Sequence, residues 1–277
     1  MGNYFTNLEP KEYFKRYLQI APLALAIFRA IEAKNIAGEE MNGPLLDIGC
    51  GFGEFAGAFF ESSVEMGVDI SWKDITGARK VDRYKKLTCA DACSLPFSNN
   101  YFNTVLSVSV LEHIEGADEV VKEAYRVLKP GGKFIFTANT EKISEMLYWP
   151  KIFHKIKSGN FEKQYILFYN RLFKHRTLWS VEKWQHLLAA EGFEIKVFRE
   201  IICRESTELF DLFLITAWPP QLIKLLIGRR WTWRPKWFRE WLVRKYLCFV
   251  EEDPKDGGSN LYVVAVKPEE KQRPEGR

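Results

Sequence analysis

The chain has 277 residues, 47% of them hydrophobic and 27% charged, with a net charge of +4. That balance gives a globular protein with a substantial core and excludes a disordered or fibrous chain, and so small a positive charge does not by itself call for nucleic acid. Five scattered cysteines without a CxxC pair point to free thiols in a reducing cytoplasm rather than a disulfide framework or a zinc site. No basic-then-apolar leader pattern for secretion is present. The longest apolar stretch, residues 18–31, is broken by Gln19, Pro22 and Arg29 and falls short of the roughly 20 residues a spanning helix needs. The outlying figure is 15% aromatic, with nine tryptophans, five of them after position 200.

Helical spacing predicts helix over residues 8–35, with a break at Pro22. The period then changes. Pro44 to Ile48 is a short apolar run ending in glycines, which suits a buried parallel strand. A helix over 54–60, a strand over 64–69, a helix over 73–80 and a strand over 84–89 follow. A strand over 104–108 and a helix over 118–128 come next, and Lys129-Pro130-Gly131-Gly132 stops that helix before a strand over 133–137. Residues 143–175 are aromatic and basic and read as helix, interrupted at Pro150 and Gly159. Ser180 is a good N-cap for a helix over 181–190 and Gly192 a good residue just past its end. A strand over 193–199, an aromatic, basic insertion over 205–250 and a strand over 260–266 complete the pattern, with a polar tail expected to be disordered from Lys267. Strand-helix alternation of this kind predicts a parallel sheet covered on both faces.

The glycines after the first strand carry the first functional signal. A glycine turn between strand and helix lets backbone approach a ligand, and the helix start offers unpaired N–H groups. Here the spacing is G-x-G-x-G, at Gly49, Gly51 and Gly53, and Glu54 stands where the dinucleotide fingerprint has glycine. A carboxylate at that terminus repels pyrophosphate, and Asp47 adds to the objection, while suiting a ligand that carries an ammonium group. Asp69, 22 residues after Asp47 at the end of the second strand, can accept both hydroxyls of a ribose. Asp91, at the end of the third, can read an adenine amino group.

Leu46 to Gly53 resembles the first motif of the class I S-adenosylmethionine-dependent methyltransferases. Residues 91–97 and 126–132 are similar to later motifs of their small-molecule branch, which includes the ubiquinone/menaquinone-type enzymes. The resemblance covers about residues 44–139, in the family's order and spacing. It implies a doubly wound, seven-stranded, mostly parallel α/β sheet whose last strand is antiparallel, and S-adenosyl-L-methionine as cofactor. It further implies that Gly49, Cys50 and Gly51 line the methionine portion, with Asp47 and Gly53 shaping the same loop. Asp69 would hold the ribose, Ile70 would pack on the adenine with Asp91 and Ala92 at its edge, and Ser107 would face the methionine amino group or the sulfonium. Asn103 departs from the family's usual aspartate at a position that supports the start of a strand.

Methyl transfer from a sulfonium is mainly an alignment problem, and a base is needed only where the acceptor loses a proton. His113, just past the fourth strand, is the candidate base; shaping the pocket is its other reading. Some family members bind a divalent metal through Glu-x-x-Glu-His, but Ser109 replaces the first carboxylate, so no metal is expected. His175 and Tyr169 are candidates for reaching over the pocket, Tyr169 equally as lid core. His154 has no acidic neighbour in sequence, and His186 is expected to pack.

The predicted organisation is an N-terminal helical segment (1–40), a methyltransferase domain (41–267) with cap insertions at about 141–178 and 205–252, and the tail (268–277). Residues 221–249 hold eight Lys or Arg and one acid, interleaved with aromatics. Trp218, Trp231, Trp233, Trp237 and Trp241 beside such cations suit an anionic membrane surface, a plain lid, or RNA, and the run Leu222–Ile227 inclines the reading toward lipid. The expected activity is methylation of a hydrophobic or lipid-linked small molecule, cytoplasmic or peripheral on the inner face of a membrane. A soluble metabolite or RNA as acceptor, and cofactor binding without catalysis, stand as alternatives.

Overall fold

The structure is a computed structural model that describes residues 4, 8–214 and 235–269. The run Leu222–Ile227, with Trp218, Trp231, Trp233, Lys224, Arg229, Arg230 and Arg234, lies outside the described residues.

The chain opens with α1 (Pro10–Tyr17) and α2 (Leu23–Ile36), separated at Pro22 as predicted. The alternating region follows: β1 (Leu45–Ile48), α3 (Glu54–Phe59), β2 (Val64–Asp69), α4 (Trp72–Ala78), β3 (Tyr84–Cys89), β4 (Phe102–Val108), α5 (Ala117–Val127) and β5 (Leu128–Asn139). The cap helices α6 (Lys142–Glu145), α7 (Tyr148–Lys155) and α8 (Gly159–Leu172) come next, then α9 (Val181–Ala190), β6 (Glu194–Glu200), α10 (Arg204–Leu212), α11 (Lys236–Tyr246), α12 (Cys248–Glu251) and β7 (Asn260–Val266). The seven strands form one sheet in the order β3-β2-β1-β4-β5-β7-β6. Every pair is parallel except those made by β7, which runs antiparallel to β5 and β6.

Strand alternation divides the core in two. Leu45, Leu106, Ile135 and Val264 point to one face, and Leu46, Val105, Phe134 and Val263 to the other. Both faces are covered, so the central strands read as continuous apolar runs. The first face is covered by α1, α2, α3 and the described helices of the second insertion, the second by α5 and α9. The N-terminal helices are thus one wall of the main core: Phe14, Leu18, Ala30 and Ile31 have no exposed surface.

Three expectations need correction. Pro150 does not interrupt a helix; it sits in the first turn of α7, where its missing N–H has no intrahelical partner to lose. Lys267 is anchored rather than disordered, its Nζ donating to Asn100 and to the Tyr125 and Leu128 carbonyls at 2.8–2.9 Å. Residues 270–277 of the tail lie outside the described residues. His186 does not pack; it is exposed on α9 beside buried Trp184 and Leu188. Other local readings hold for clear reasons. Ser180 Oγ caps α9 by accepting from Lys183 N–H, and Gly192 takes φ +93 just past its end. Asn103 supports the start of β4 by donating to the Gly43 carbonyl.

Two of the sequence motifs serve each other. Arg126 on α5 donates to the Leu95 and Phe97 carbonyls at 2.9 and 2.7 Å and to Asn99, and Glu123 accepts from Leu95 N–H at 2.6 Å. The pair Arg126–Glu123 therefore fastens the loop after β3 onto α5. Removing a partly exposed, multiply bonded guanidinium through Arg126→Ala is expected to cost about 2 kcal/mol in chemical denaturation. Loss of protection in amide exchange should be concentrated in residues 91–99, and Arg126→Lys should recover only part of it because ammonium lacks the planar fork.

Candidate active site

β1 is flanked by β2 on one side and β4 on the other, so the chain leaves it in opposite directions and opens a crevice at the strands' carboxyl ends. The glycine turn lies there. Gly49 and Cys50 N–H both donate to the Val68 carbonyl, at 2.7 and 3.0 Å, and Gly53 N–H closes the turn on Cys50. Gly49, Gly51 and Gly53 all have positive φ, at +74, +52 and +72. The requirement is sharpest at Gly49, where a Cβ would collide with the Val110 side chain, and different at Gly51, where a Cβ would meet nothing within 4 Å. Backbone at Gly51 is therefore open to a ligand.

Asp69 ties this turn to β2. One carboxylate oxygen accepts from Gly51 N–H at 2.9 Å and the other from Ser71 N–H at 2.8 Å. Next to it Ile70 is 72% exposed, a bare apolar side chain at the sheet's edge. Asp91 is exposed and accepts from Cys93 N–H at 2.9 Å, shaping the turn in which Ala92 is buried. The structure thus brings Gly49, Cys50, Gly51, Asp69, Ile70, Asp91 and Ala92 to neighbouring strand ends.

Asp47 and Ser107 sit beneath that surface. Asp47 is buried and accepts from the Tyr84 hydroxyl at 2.6 Å; burial, with Asp69 nearby, pushes its carboxyl up to about 7 while the Tyr84 bond opposes the rise. Burial also pushes the Cys50 thiol far up, so it is not a thiolate. Ser107 is fully buried and donates to the Ile48 carbonyl at 3.2 Å. Its hydroxyl joins β4 to the end of β1.

A groove of about 1060 Å³ touches Phe52, Gly53 and Glu54 but runs on between Arg16, Lys73, Gly77 and Arg83. It does not include Asp69, Ile70 or Asp91. Strand-end geometry, rather than groove size, marks the site.

Past β4 lies a second polar assembly that sequence reading missed. Ser109 holds φ +50, a left-handed conformation for a non-glycine residue. Its N–H donates to both the carbonyl and the hydroxyl of Thr137, each at 3.0 Å, and its own hydroxyl donates to Glu32 at 2.5 Å. Thr137 also donates to Glu32, at 2.8 Å, and Arg29 on α2 pairs with that same carboxylate at 2.7 Å. Arg29 and Glu32, one helical turn apart inside an apolar helix, were the available signal. The position where the metal-binding pattern carries its first glutamate is thus a serine bonded to a carboxylate that a guanidinium already neutralises.

Beside this assembly Glu112 has no exposed surface, and among the described residues no side chain hydrogen-bonds its carboxylate oxygens. Burial pushes its carboxyl up to about 8; the backbone N–H groups of Glu112 and Asn139 and the Arg29 charge oppose the rise, and Glu32 adds to it. Its backbone carbonyl accepts from Arg176 and Thr177 N–H at 2.8 and 3.0 Å, and Thr177 Oγ1 donates to the Ile114 carbonyl at 2.5 Å. These bonds clip the first cap insertion to the segment after β4. The clip stacks His175 on His113, ring centroids 5.6 Å apart. Tyr169 is buried as lid core. His154, contrary to expectation, does have an acidic neighbour: Glu162, across from it on α8, at 3.2 Å. Desolvation by the surrounding groups pulls His113 down to about 4 although the residue stays exposed, and the Lys174 carbonyl favours the protonated form. His175 is likewise pulled down to about 4 by burial.

A carboxyl raised in the folded state binds its proton there after the unfolded chain has released it, so its stabilising contribution is complete below the unfolded value and is lost as pH rises to the folded one. For Glu112 that window runs from its ordinary 4.5 to about 8. The isosteric Glu112→Gln variant is therefore expected to gain stability relative to wild type between these pH values. Denaturation midpoints measured in parallel across the window check the sign, and a constant difference would contradict it.

Residues 46–136 match the family described as Methyltransferase domain. Over 117 residues the chain is 31% identical to a ubiquinone/menaquinone biosynthesis C-methyltransferase of Desulfotalea psychrophila, covering 40% of this chain and 48% of that one. Over 97 residues it is 35% identical to a sterol 4-C-methyltransferase of Caenorhabditis elegans, covering 32% and 29%. The alignable stretch thus spans less than half of these curated relatives. A solved Thermotoga maritima methyltransferase shares the fold at a TM-score of 0.54 with 19% identity, covering 88% of this chain and 91% of that one. The match to the Methyltransferase domain family is thus carried by residues 46–136, while the likeness to the solved structure extends over the fold.

Proposed function

We propose that this chain transfers a methyl group from S-adenosyl-L-methionine to a hydrophobic or lipid-linked small molecule, in the cytoplasm or at the inner face of a membrane. The observation that carries the reading is the pairing of two features across one crevice. On one side, Asp69 pins the open backbone of Gly51; on the other, the bond from Thr177 to the Ile114 carbonyl clips the cap so that His175 stacks on His113. The named quinone-pathway and sterol relatives support an apolar acceptor.

The site's chemistry fits the cofactor. Glu54 at the start of α3 disfavours a pyrophosphate, and open backbone at Gly51 accommodates a slim methionine tail. Asp69, already oriented by two N–H groups, accepts the ribose hydroxyls; Ile70 covers the adenine, with Asp91 and Ala92 at its edge. Gly49, Cys50 and Gly51 line the methionine portion, and buried Asp47 below them adds negative potential suited to its ammonium group. When bound, the cofactor supplies a methyl group on a positively charged sulfur that leaves readily. The chain's own work is to align the acceptor and exclude water. His113, neutral above about 4, can take the proton that a hydroxyl acceptor releases, its ring held by the Lys174 carbonyl and His175.

Calorimetric titration should show binding of the cofactor at micromolar concentrations, weakened about 10- to 100-fold in Asp69→Ala by loss of charge-assisted bonds. Absence of heat at millimolar cofactor overturns the reading. Incubation with labelled cofactor and a lipid extract should yield a methylated, organic-soluble product; labelled RNA or a water-soluble product instead would reassign the acceptor, and cofactor binding without any product would leave a binding protein. With a hydroxyl acceptor, His113→Asn should lower kcat by about 100-fold with little change in KM, and the wild-type rate should fall only as pH drops toward about 4. Unchanged kcat in that variant would reduce His113 to a pocket-shaping residue.

A further inference from the structure

The first cap insertion presents an apolar stripe that neither the sheet nor the cofactor site uses. On α8, Phe161, Phe168 and Leu172 are 64%, 48% and 39% exposed, and Ile156, in the turn before it, is 66% exposed. At 100° per residue the three α8 side chains lie within about 40° of one another, so they form one ridge along the helix. The adjoining side of α8, about 40–80° round from Phe161, is committed to the cap's own core, where Tyr169 is buried with Ile143 and Leu147 and packs on Phe173. Tyr165 donates to Asp211 on α10 at 2.5 Å, and the same carboxylate accepts Trp149 N–H at the start of α7. The helix is therefore held with the ridge along one edge of its exposed side, Phe161 and Phe168 lying against the Phe153 and Tyr165 rings.

The surroundings of the ridge are strongly basic. Residues 146–176 carry seven Lys or Arg and one acid, Glu162, which is paired with His154; Lys151 and Arg176 pair with Glu208 and Glu115. Lys157 and Arg171 are exposed beside the ridge, and Lys163 is exposed on the far side of α8. Bulky apolar side chains flanked by cations on a helix match the headgroup zone of an anionic bilayer, with the apolar groups below the phosphates and the cations among them. A protein partner would need acidic complementarity, and RNA would need bases to stack on planar rings, whereas half of this ridge is aliphatic.

We infer that the outward face of α8, with Ile156, is the surface by which this protein docks on anionic membranes. The inference rests on the proposed hydrophobic or lipid-linked acceptor and adds where the bilayer meets the enzyme. The consequence for the site is direct: α8 ends in the loop that stacks His175 on His113 and bonds to Glu112. Docking through α8 holds the acceptor side of the crevice against the source of an apolar substrate.

The test is co-sedimentation of the full chain with phosphatidylcholine vesicles, with and without phosphatidylglycerol. Wild type should bind the anionic vesicles and bind less as salt rises. The triple variant Phe161→Ser, Phe168→Ser, Leu172→Ser should lose about tenfold or more of that partitioning. A second variant, Lys157→Gln, Arg171→Gln, should weaken binding and reduce its salt dependence. Both should keep the wild-type cofactor titration, and the second, whose altered side chains are exposed, the wild-type denaturation midpoint. The inference is overturned by wild type that ignores anionic vesicles, by variants that sediment as wild type does, or by salt-sensitive RNA binding without vesicle binding. Self-association abolished by the serine variant would also overturn it, giving the ridge to a second copy. Vesicle binding without any methylated lipid would sink the acceptor reading and leave the docking surface standing; methylation of a detergent-dispersed lipid by a chain that ignores vesicles would do the reverse.

Discussion

A pair of backbone-to-β2 attachments governs the rest of this structure. Gly49 and Cys50 give their N–H groups to the Val68 carbonyl, and Gly51 gives its own to the Asp69 carboxylate. Three consecutive backbone donors are thereby fixed against the neighbouring strand, which three ordinary residues in series could not achieve, because two of these positions need positive φ. With the turn fixed, α3 begins at a set place, Val110 can pack directly over Gly49, and Asp69 is oriented before any ligand arrives. A carboxylate so oriented loses little freedom on accepting further hydrogen bonds, which is the physical content of a preorganised site.

Beneath this surface the protein keeps several ionisable groups away from water. Asp47, Glu32 and Glu112 are all buried, and each is managed differently. Asp47 has a tyrosine hydroxyl; Glu32 has two hydroxyls and a guanidinium; among the described residues Glu112 has no side-chain hydrogen bond to its carboxylate. Burying a carboxylate without a side-chain partner favours the neutral form, which is why Glu112 is raised to about 8 while its neighbour His113 is lowered to about 4. Desolvation acts on adjacent residues with opposite chemical results, leaving an acid that holds its proton next to a base that is free to take one. The first cap insertion completes this arrangement, since its loop 174–177 bonds to the backbone of residues 112–114 and supplies the second imidazole.

The legible parts were those where neighbours in sequence are neighbours in space. The G-x-G-x-G turn, the Ser180 cap, the Gly192 stop and the two-residue alternation that sends Leu45 and Leu46 to opposite cores are all local. The position of Ser107 at a strand end is local, but the direction of its hydroxyl is not; Ile48, 59 residues away, receives it. Tyr84 could not be paired with Asp47 across 37 residues, nor Ser109 with Glu32 across 77. Arg29 was visible only as a break in an apolar run, although its spacing from Glu32 fits an ion pair on one helical face.

The amino-acid sequence by itself determined the doubly wound sheet, the glycine turn and the carboxylates at two strand ends, because period and glycine spacing act over a few residues and leave little choice of geometry. Only the tertiary structure decided which groups are wet, which are paired and where the caps sit. Arg126 became a clamp for the loop holding Asp91, Ser107 a buried brace, and α8 a helix with Phe161, Phe168 and Leu172 left exposed along one edge. Each of those outcomes depends on desolvation and on hydrogen bonds between distant segments, which exist only once the chain has closed on itself.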